Sequence, residues 1–338
     1  MGILIRGGRI VDAATDTDKK GDVYLEDGVI TEIGEKLSVK DKNDRVIDAK
    51  GCLVMPGLID LHVHSTFSDG TLTPTQLVEH AMENHLTAFA LTDHDTVDGL
   101  GEAFQAAEDK PIKVISGIEF STEYNGQDIH IVGLDFDWHD TSFCQELDHF
   151  RNARFERNRK MAEKLADCGF PITIEALQEM FGDAVLTRAH FARFLYEKGC
   201  IPSMNDAFFH YIGNDGPCFV PREKVTPAMA VHLIHKLDGI AVLAHPMQYH
   251  LSDSQLKELI RTLKPEGLNG IEAMYSRHSV SQENRVRRLA QVMGLAVSGG
   301  SDFHGSNIPG IDLGVGRGNL RIPDTTFENL RKHRDRQY

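Results

Sequence analysis

The sequence predicts an α/β protein built from parallel βα units, with a small antiparallel sheet before them and a helical insertion within them. Residues 1–58 contain short runs of alternating apolar and polar residues, separated by turn residues. From Ile59 onward, strand-like and helix-like runs alternate, as they do in parallel βα folds. Between about 146 and 225 the pattern is helical with few strand signals, and the alternation then resumes.

The first 58 residues predict a small antiparallel sheet. Its strands correspond to ILIRGGRIVDA, GDVYLEDGVITEIG and DRVIDAKGCLVMPG. Asp27 and Gly28 lie between two alternating runs, which favours a two-residue hairpin turn. The edges of such a sheet can pair with another chain, so this segment is where we expect any homo-oligomer contact.

The remainder divides into three parts. We assign residues 59–145 and 226–322 to the βα domain, 146–225 to the helical insertion and 323–338 to a charged C-terminal tail. The predicted strands of the domain include TAFALTDHD, IKVISGIEFS, DIHIVGLDFD, IAVLAHP, GIEAM and LAVSGGSDFHG. In parallel βα folds, functional side chains collect at the carboxyl ends of the strands.

Histidines and carboxylates recur at those strand ends. His62 and His64 are two apart in an apolar strand, so both can face one ion. Taken alone each candidate has an ordinary explanation, such as a core histidine for His130 between isoleucines, but their recurrence favours a metal centre. Imidazole and carboxylate donors suit Mn²⁺ or Zn²⁺, and this set is large enough for two or three ions that share a carboxylate. The candidates are His62, His64, Asp69, His94, Glu119, His130, His245, Asp302 and His304.

Composition limits the partners and the compartment. The net charge of −14 over 338 residues disfavours nonspecific binding to long duplex nucleic acid, which requires many phosphate-neutralising cations. The chain has five cysteines and no CxxC pair, which is typical of a reducing compartment, so we expect a cytoplasmic protein. Because no apolar run approaches the roughly 20 residues that cross a bilayer, we expect no membrane association.

Several motifs occur in an order that resembles the PHP (polymerase and histidinol phosphatase) family. They are HVHSTFSDG, LTDHDT, GIEFS, DIHIVG, AHP and GSDFH, and the resemblance covers about residues 59–322. The insertion segment LTRAHFARFLYEKG is similar to one in the subgroup that hydrolyses 3′,5′-nucleotide bisphosphates and includes 5′-to-3′ exoribonucleases acting on short RNA. The resemblance implies a distorted, TIM-like (βα)7 barrel, usually with manganese.

The resemblance also implies roles. The nine candidates match the family's metal-binding, catalytic positions, and Glu119 is the expected bridge between ions. The expected cofactor is two or three divalent ions. Mn²⁺ is the expected metal, and Zn²⁺, Fe²⁺ and Mg²⁺ are alternatives. The expected reaction removes phosphate from a nucleotide bisphosphate, as in the conversion of adenosine 3′,5′-bisphosphate to AMP, by means of a metal-bridged hydroxide. Asp93 and Asp95 are expected to orient the ligands from a second shell, with helix capping and turn formation as an equal alternative.

A second phosphate needs its own receptor. Arg188, Arg193 and, more weakly, His190 lie beside the predicted helix N-terminus at Thr187, which favours anion binding. Arg222 and Lys224 are further candidates. The basic run RNARFERNRKMAEK, with its cations at 151–160, is interpreted as a solvated helix face, and a local anion site is the alternative.

The N-terminal segment supports a rival function. Residues 1–58, which lead into VMPGLIDLHVH, resemble the opening of dihydroorotase-like amidohydrolases, which implies cyclic-amide hydrolysis as the alternative. That family also needs a bridging lysine, and no lysine here ends a suitable strand. Met247 and Gln248 stand where the phosphoesterase subgroup commonly has Gly and Arg, which weakens the bisphosphate prediction. A nucleotide-binding module without catalysis is the third hypothesis.

Overall fold

The computed structural model describes residues 2–12, 17–221 and 225–336. Two compact units divide the chain, Met1–Gly57 and Leu58–Tyr338. Each unit is described by itself below. In the described part of the chain, none of the helices combines the length and the apolar character needed to span a membrane.

The smaller unit is a mixed sheet around the predicted antiparallel strands. Its strands are β1 (Gly2–Asp12), β2 (Thr17–Glu26), β3 (Val29–Gly34), β4 (Arg45–Asp48) and β5 (Leu53–Val54). The predicted hairpin is confirmed: Glu26 pairs with Val29, and Asp27 and Gly28 have φ angles of 49° and 80°. Strands β1 to β3 are antiparallel, whereas β4 and β5 both run parallel to β1.

The larger unit alternates strands and helices. Its strands are β6 (Leu58–Val63), β7 (Leu86–Leu91), β8 (Lys113–Tyr124), β9 (Gln127–Leu134), β10 (Ile240–Leu243), β11 (Leu268–Tyr275) and β12 (Ala296–Gly300). Its helices are α1 (Pro74–Glu83), α2 (Leu100–Ala107), α3 (Thr141–Asp167), α4 (Ile174–Phe181), α5 (Arg188–Glu197), α6 (Met204–Ala207), α7 (Pro227–Lys236), α8 (Asp253–Leu263), α9 (Val280–Met293) and α10 (Thr325–Asp335).

The strands form one sheet in the order β12-β11-β10-β9-β8-β7-β6, and this sheet nearly closes on itself. Its edge strands meet where the Asp302 N–H donates to the His62 carbonyl (2.9 Å) and the His64 N–H donates to the Phe303 carbonyl (3.0 Å). The predicted distorted seven-stranded, TIM-like barrel is therefore confirmed.

One strand breaks the parallel pattern. Strand β9 is antiparallel to both β8 and β10. The cause is local, because Asn125 and Gly126 adopt φ angles of 52° and 78° and join Tyr124 to Gln127 in a two-residue hairpin. Asn-Gly is a strong hairpin signal, so this reversal could have been predicted.

The helical insertion begins earlier than the sequence suggested and has its own core. Helix α3 starts at Thr141, where the Asp140 carboxylate caps the Phe143 N–H. The insertion's apolar cluster is separate from the clusters that line the barrel strands. The cluster includes Met161, Leu177, Phe191, Leu195 and Ile212, each fully buried. The insertion therefore has a core of its own, while the first half of α3 packs with the barrel through Phe143, Leu147 and Phe150.

The C-terminal segment, which the sequence predicts as a charged tail, forms a helix that packs against the barrel strands. Helix α10 buries Phe327 and Leu330 within the apolar cluster around the barrel strands. Its Arg331 donates two hydrogen bonds of 2.7 Å to Asp135, and Arg334 adds a third of 3.1 Å. Burial raises the pKa of Asp135, but these arginines outweigh it and hold the pKa below its usual range.

We expect Asp135→Asn to lower the free energy of unfolding by about 1 kcal/mol at neutral pH, since it removes the charge from a partly buried ion pair. Because the folded pKa is depressed, the stabilisation exists above the ordinary carboxyl pKa and disappears as the pH falls through the folded value. Thermal unfolding at a series of pH values measures it. Asp109→Asn is the matched control, because Asp109 is exposed and has the same φ of 58°.

Candidate metal centre and phosphate pocket

The two histidines of the motif HVHSTFSDG lie where β6 ends, and they face the barrel interior. His62 and His64 are 1% and 0% exposed. Because they are two apart on the extended chain, both imidazoles point to the same side, as the sequence predicts. They face the carboxyl ends of the neighbouring strands.

Glu119, near the middle of β8, lies at the centre of the predicted cluster. Its two carboxylate oxygens are within 3.0–3.3 Å of five imidazoles. The Oε1 atom is near one nitrogen each of His62, His130 and His245. The Oε2 atom is near His64 and His94. A carboxylate in this position can be shared between neighbouring cations.

The remaining ligand candidates lie on the other side of His64. Asp302 Oδ1 is 3.3 Å from the His64 Nε2 atom and 3.5 Å from that of His62. His304 Nε2 is 3.2 Å from Asp69 Oδ1. The structure thus brings all nine sequence-predicted ligands into one buried cluster.

The donor set fits divalent cations. Three groups have ligand atoms within 4.8 Å of one another. They are His64, Asp69, His94 and His304; His62, His64, Glu119 and Asp302; and His94, Glu119 and His130. Among the described residues, no hydrogen bond of good geometry reaches His62 Nε2, His64 Nε2 or Asp69 Oδ1, although all three atoms are buried. Buried polar atoms without partners are costly, and a coordinated cation would satisfy them.

Electrostatics point the same way. Burial lowers the pKa of His62, but Glu119 and the other nearby carboxylates outweigh it and raise the pKa well above its usual value. The same balance raises the pKa of His64 to about 10. Burial likewise raises the pKa of Glu119 and Asp302, while the histidines outweigh it and hold both well below the usual range. Carboxylates and imidazoles thus interact as groups of opposite charge, and a bound cation would take the place of the imidazole protons.

Two buried residues that support the ligands escaped the sequence analysis. Glu272 on β11 accepts from His62 Nδ1 (3.1 Å) and from the His245 N–H (2.8 Å). Tyr275 donates its hydroxyl to Asp302 Oδ2 (2.8 Å). A glutamate within the apolar strand GIEAM was the available signal, because buried carboxylates are rare without a specific partner. With Nδ1 held by Glu272, His62 presents Nε2 to the cluster.

We expect Glu272→Gln to weaken metal binding about 10–100-fold, because an amide offers one acceptor oxygen where two donors now point at the carboxylate. Activity measured against metal concentration tests this, and excess metal should restore most of the turnover. Glu258→Gln, an exposed change on α8, serves as the control. A loss of turnover that saturating metal does not repair would show that Glu272 does more than position His62.

Asp93 and Asp95 both lie behind the ligands, in different roles. Asp93 accepts from the Ser65 N–H (2.8 Å) and from both the Ser65 and Ser68 hydroxyls (2.6 Å each), so it fixes the turn after His64. Asp95 pairs with the buried Arg154 (2.6 Å). Neither is a helix N-cap among the described helices.

Arg154 links the insertion to the cluster. Its guanidinium donates to Ser121 Oγ (2.6 Å), and that hydroxyl is 3.1 Å from His94 Nδ1. At the neighbouring helix, the Thr187 hydroxyl caps α5 and donates to Asp69 Oδ2 (2.7 Å). The insertion therefore contributes to the orientation of two ligand candidates.

A cavity opens beside the cluster. Its volume is about 150 Å³, which is smaller than the roughly 300–1,000 Å³ of sites for drug-sized ligands. Three cationic side chains, Arg154, Arg157 and Arg188, line it. Arg154 and Arg157 are each only 4% exposed, so the interpretation of 151–160 as a solvated helix face is wrong at these two positions. The other lining residues are Asp69, His94, Ser121, Asp128, His130, Thr187, Ala189 and Phe208.

The predicted phosphate receptors differ in their placement. Arg188 lines the cavity and pairs with Asp128 (2.6 Å). Arg193 pairs with Glu197 on its own helix (2.6 Å) and does not line it. His190 is buried, accepts from the Thr187 N–H (2.9 Å), and has its pKa lowered by burial to about 4, so it serves as a helix cap.

Of four further positions singled out in the sequence, the structure describes two. Arg222 and Lys224 lie outside the described residues. Met247 packs against the main apolar cluster, and Gln248 ends a short 3₁₀ turn after His245. Neither of the latter two lines the cavity.

A barrel with a histidine- and carboxylate-rich centre, next to a cavity walled by arginines, defines a metal-dependent phosphoesterase rather than an amidohydrolase with a lysine bridge. Comparison with known protein families supports this class, because the model of the PHP domain matches residues 60–206. The chain belongs to the PHP family.

Two relatives and one solved structure illustrate the similarity. The 5′-3′ exoribonuclease of Haemophilus influenzae is 37% identical over 72% of this chain and 89% of its own length. The 3′,5′-nucleoside bisphosphate phosphatase of Chromobacterium violaceum is 34% identical over 76% of this chain and 90% of its own. A structure described as an amidohydrolase from Chromobacterium violaceum, with bound sulfate and no metal, has a TM-score of 0.73 at 32% identity and covers 81% of this chain and 96% of that one.

A shorter match has a different character. The dihydroorotase of Syntrophotalea carbinolica is 50% identical over 64 residues, 19% of this chain and 15% of that protein. That length is close to the N-terminal segment in which the sequence resembles amidohydrolases. The match leaves most of the dihydroorotase without a counterpart.

Proposed function

We propose that the protein hydrolyses the 3′-phosphate of nucleoside 3′,5′-bisphosphates and shortens 5′-phosphorylated RNA from its 5′ end. The observation that carries this proposal is the arginine-lined cavity beside the nine-residue cluster. A bisphosphate needs two anion sites at a fixed separation. The cluster and the arginines supply two such regions within one cavity.

We infer that the catalytic centre comprises the nine clustered residues with two or three divalent cations. Mn²⁺ is the cation that we expect. His64 and His94 each belong to two of the three groups and would each ligate one ion, whereas Glu119 has two oxygens and could be shared by two ions. His245 lies 3.1 Å from Glu119 and belongs to the same cluster. When bound, such ions lower the pKa of a coordinated water and neutralise charge on phosphoryl oxygens.

The chain's own residues would bind and orient the second phosphate. Arg157 donates Nε to Asn158 (2.9 Å), which fixes the guanidinium plane at the cavity wall. Arg188 is held by Asp128 and by the Asn214 side chain (2.9 Å). Guanidinium groups fixed in this way are good phosphate receptors, because two parallel N–H donors match two phosphate oxygens.

Cyclic-amide hydrolysis is less well supported. In the subset of residues that line the cavity there is no lysine, and Glu119 occupies the central position of the cluster. The short dihydroorotase match favours a shared N-terminal segment only. We further propose a cytoplasmic location, and contacts between copies through the N-terminal sheet.

The test combines metal analysis with three substrates. Purified protein is stripped with a chelator, reloaded with Mn²⁺, Zn²⁺ or Mg²⁺, and assayed on adenosine 3′,5′-bisphosphate, a 5′-phosphorylated oligoribonucleotide and dihydroorotate. We expect metal-dependent release of phosphate from the first and of 5′-mononucleotides from the second. A metal-loaded protein that is inactive on both would overturn the proposal, and turnover of dihydroorotate would favour the rival.

A further inference from the structure

Two cysteines of the helical insertion lie next to each other although they are 50 residues apart in sequence. The Sγ atoms of Cys168 and Cys218 are 3.5 Å apart. A disulfide bond is about 2.05 Å long, so closure requires the sulfurs to approach by roughly 1.5 Å, a movement that small side-chain rotations provide. Cys168 is exposed at the end of α3, whereas Cys218 is 1% exposed.

We propose that Cys168 and Cys218 form a reversible disulfide when the protein meets a low-molecular-weight disulfide such as oxidised glutathione. The exposed Cys168 thiolate attacks one sulfur of the oxidant, and a bond forms as one glutathione thiolate leaves. Cys218 then loses its proton and attacks Cys168 in this mixed disulfide, which releases the second glutathione. Two protein thiols are oxidised and one glutathione disulfide is reduced to two thiols.

The pair differs from the other thiols of the chain. Cys52 and Cys144 are exposed, and among the described residues neither has a second sulfur in contact. Cys200 Sγ faces a backbone carbonyl, that of Lys198, at 3.9 Å. Burial raises the pKa of the Cys218 thiol to about 11, so Cys168 is the entry point and Cys218 the resolving thiol.

The disulfide would join two parts of the cavity wall. Helix α3 carries Arg157, and the segment after α6 holds Arg188 through the Ile212 carbonyl (3.3 Å) and Asn214. At present a weaker link joins these elements, since Lys164 Nζ donates to the Phe219 carbonyl (2.9 Å). A covalent link that closes a 50-residue loop restricts the unfolded chain and stabilises the insertion.

Oxidation of the whole purified protein tests the inference independently of the proposed function. After incubation with oxidised glutathione, free thiols are alkylated in denaturant and peptides are analysed by mass spectrometry. We expect a Cys168–Cys218 cross-linked peptide, loss of two of the five free thiols, reversal by dithiothreitol, and a rise in Tm on the order of 5 °C.

Variants separate the outcomes. Cys218→Ser should stop at a glutathione adduct on Cys168, and Cys168→Ser should form neither adduct nor cross-link at these positions. Cys144→Ser is the matched control, an exposed thiol on the same helix whose loss should leave the cross-link intact. A wild-type protein that keeps a stable adduct on Cys168 with Cys218 still alkylatable would overturn the inference.

Discussion

Glu119→Gln is expected to lower kcat by about 10³-fold or more, on the scale found when one group that stabilises the transition state is removed. The glutamine keeps the shape of the side chain but loses the charge that now faces five imidazoles. An amide also offers one ligand oxygen where two cations would share a carboxylate. Metal content by elemental analysis should fall together with kcat.

Two controls make this result specific. Glu258→Gln makes the same chemical change on an exposed face of α8 and should leave kcat and metal content unaltered. Circular dichroism of the metal-free variant shows whether the barrel is intact. Full turnover in Glu119→Gln with normal metal content would contradict the central position assigned to this carboxylate.

Arg157→Gln is expected to raise KM for adenosine 3′,5′-bisphosphate by about 10–100-fold, with a much smaller change in kcat. A hydrogen bond to a charged group contributes about 1.5–3 kcal/mol, and each 1.4 kcal/mol corresponds to a factor of ten in affinity. The arginine is 4% exposed and lines the cavity, so its loss removes cationic charge from the wall. Steady-state kinetics provide the measurement.

The matched control lies two residues along the same helix. Arg159 is 45% exposed and pairs with Glu156 and Glu163, so Arg159→Gln should leave KM unchanged. Adenosine 3′-phosphate, which lacks the 5′-phosphate, supplies a second comparison: Arg157→Gln should affect its KM little. An equal effect on both substrates would place Arg157 at the scissile phosphate instead.

The metal cluster was predictable because its ligands obey a strong local rule. Most of them follow or end apolar runs, and parallel strands bring their carboxyl ends together, so residues as distant as His62 and His304 could be placed in one site. The same rule does not indicate Glu272, which has no neighbouring metal motif in the sequence, and it does not indicate the β8–β9 reversal at the Asn125-Gly126 turn.

The cavity wall was harder to predict. Arg154 and Arg157 belong to a basic run that also contains the exposed Arg159, and composition does not distinguish the buried arginines from the exposed one. What buries them is tertiary structure: α3 packs with the barrel on one side, where Asp95 and Ser121 meet Arg154. Arg193 and His190 do not line the cavity for a similar reason. Their positions around helix α5 place their side chains against Glu197 and Thr187 instead.

The backbone at Asp302 affects how its variants should be interpreted. Asp302 has a φ of 56°, a left-handed conformation that asparagine and aspartate tolerate better than other side chains. Alanine there would add roughly 1 kcal/mol of strain to the loss of a ligand. If Asp302→Ala is both inactive and less stable, backbone strain and loss of the ligand cannot be separated. Asp302→Asn keeps the backbone conformation, so its effect reports the loss of the carboxylate alone. The same precaution applies at His245, whose φ is 24°.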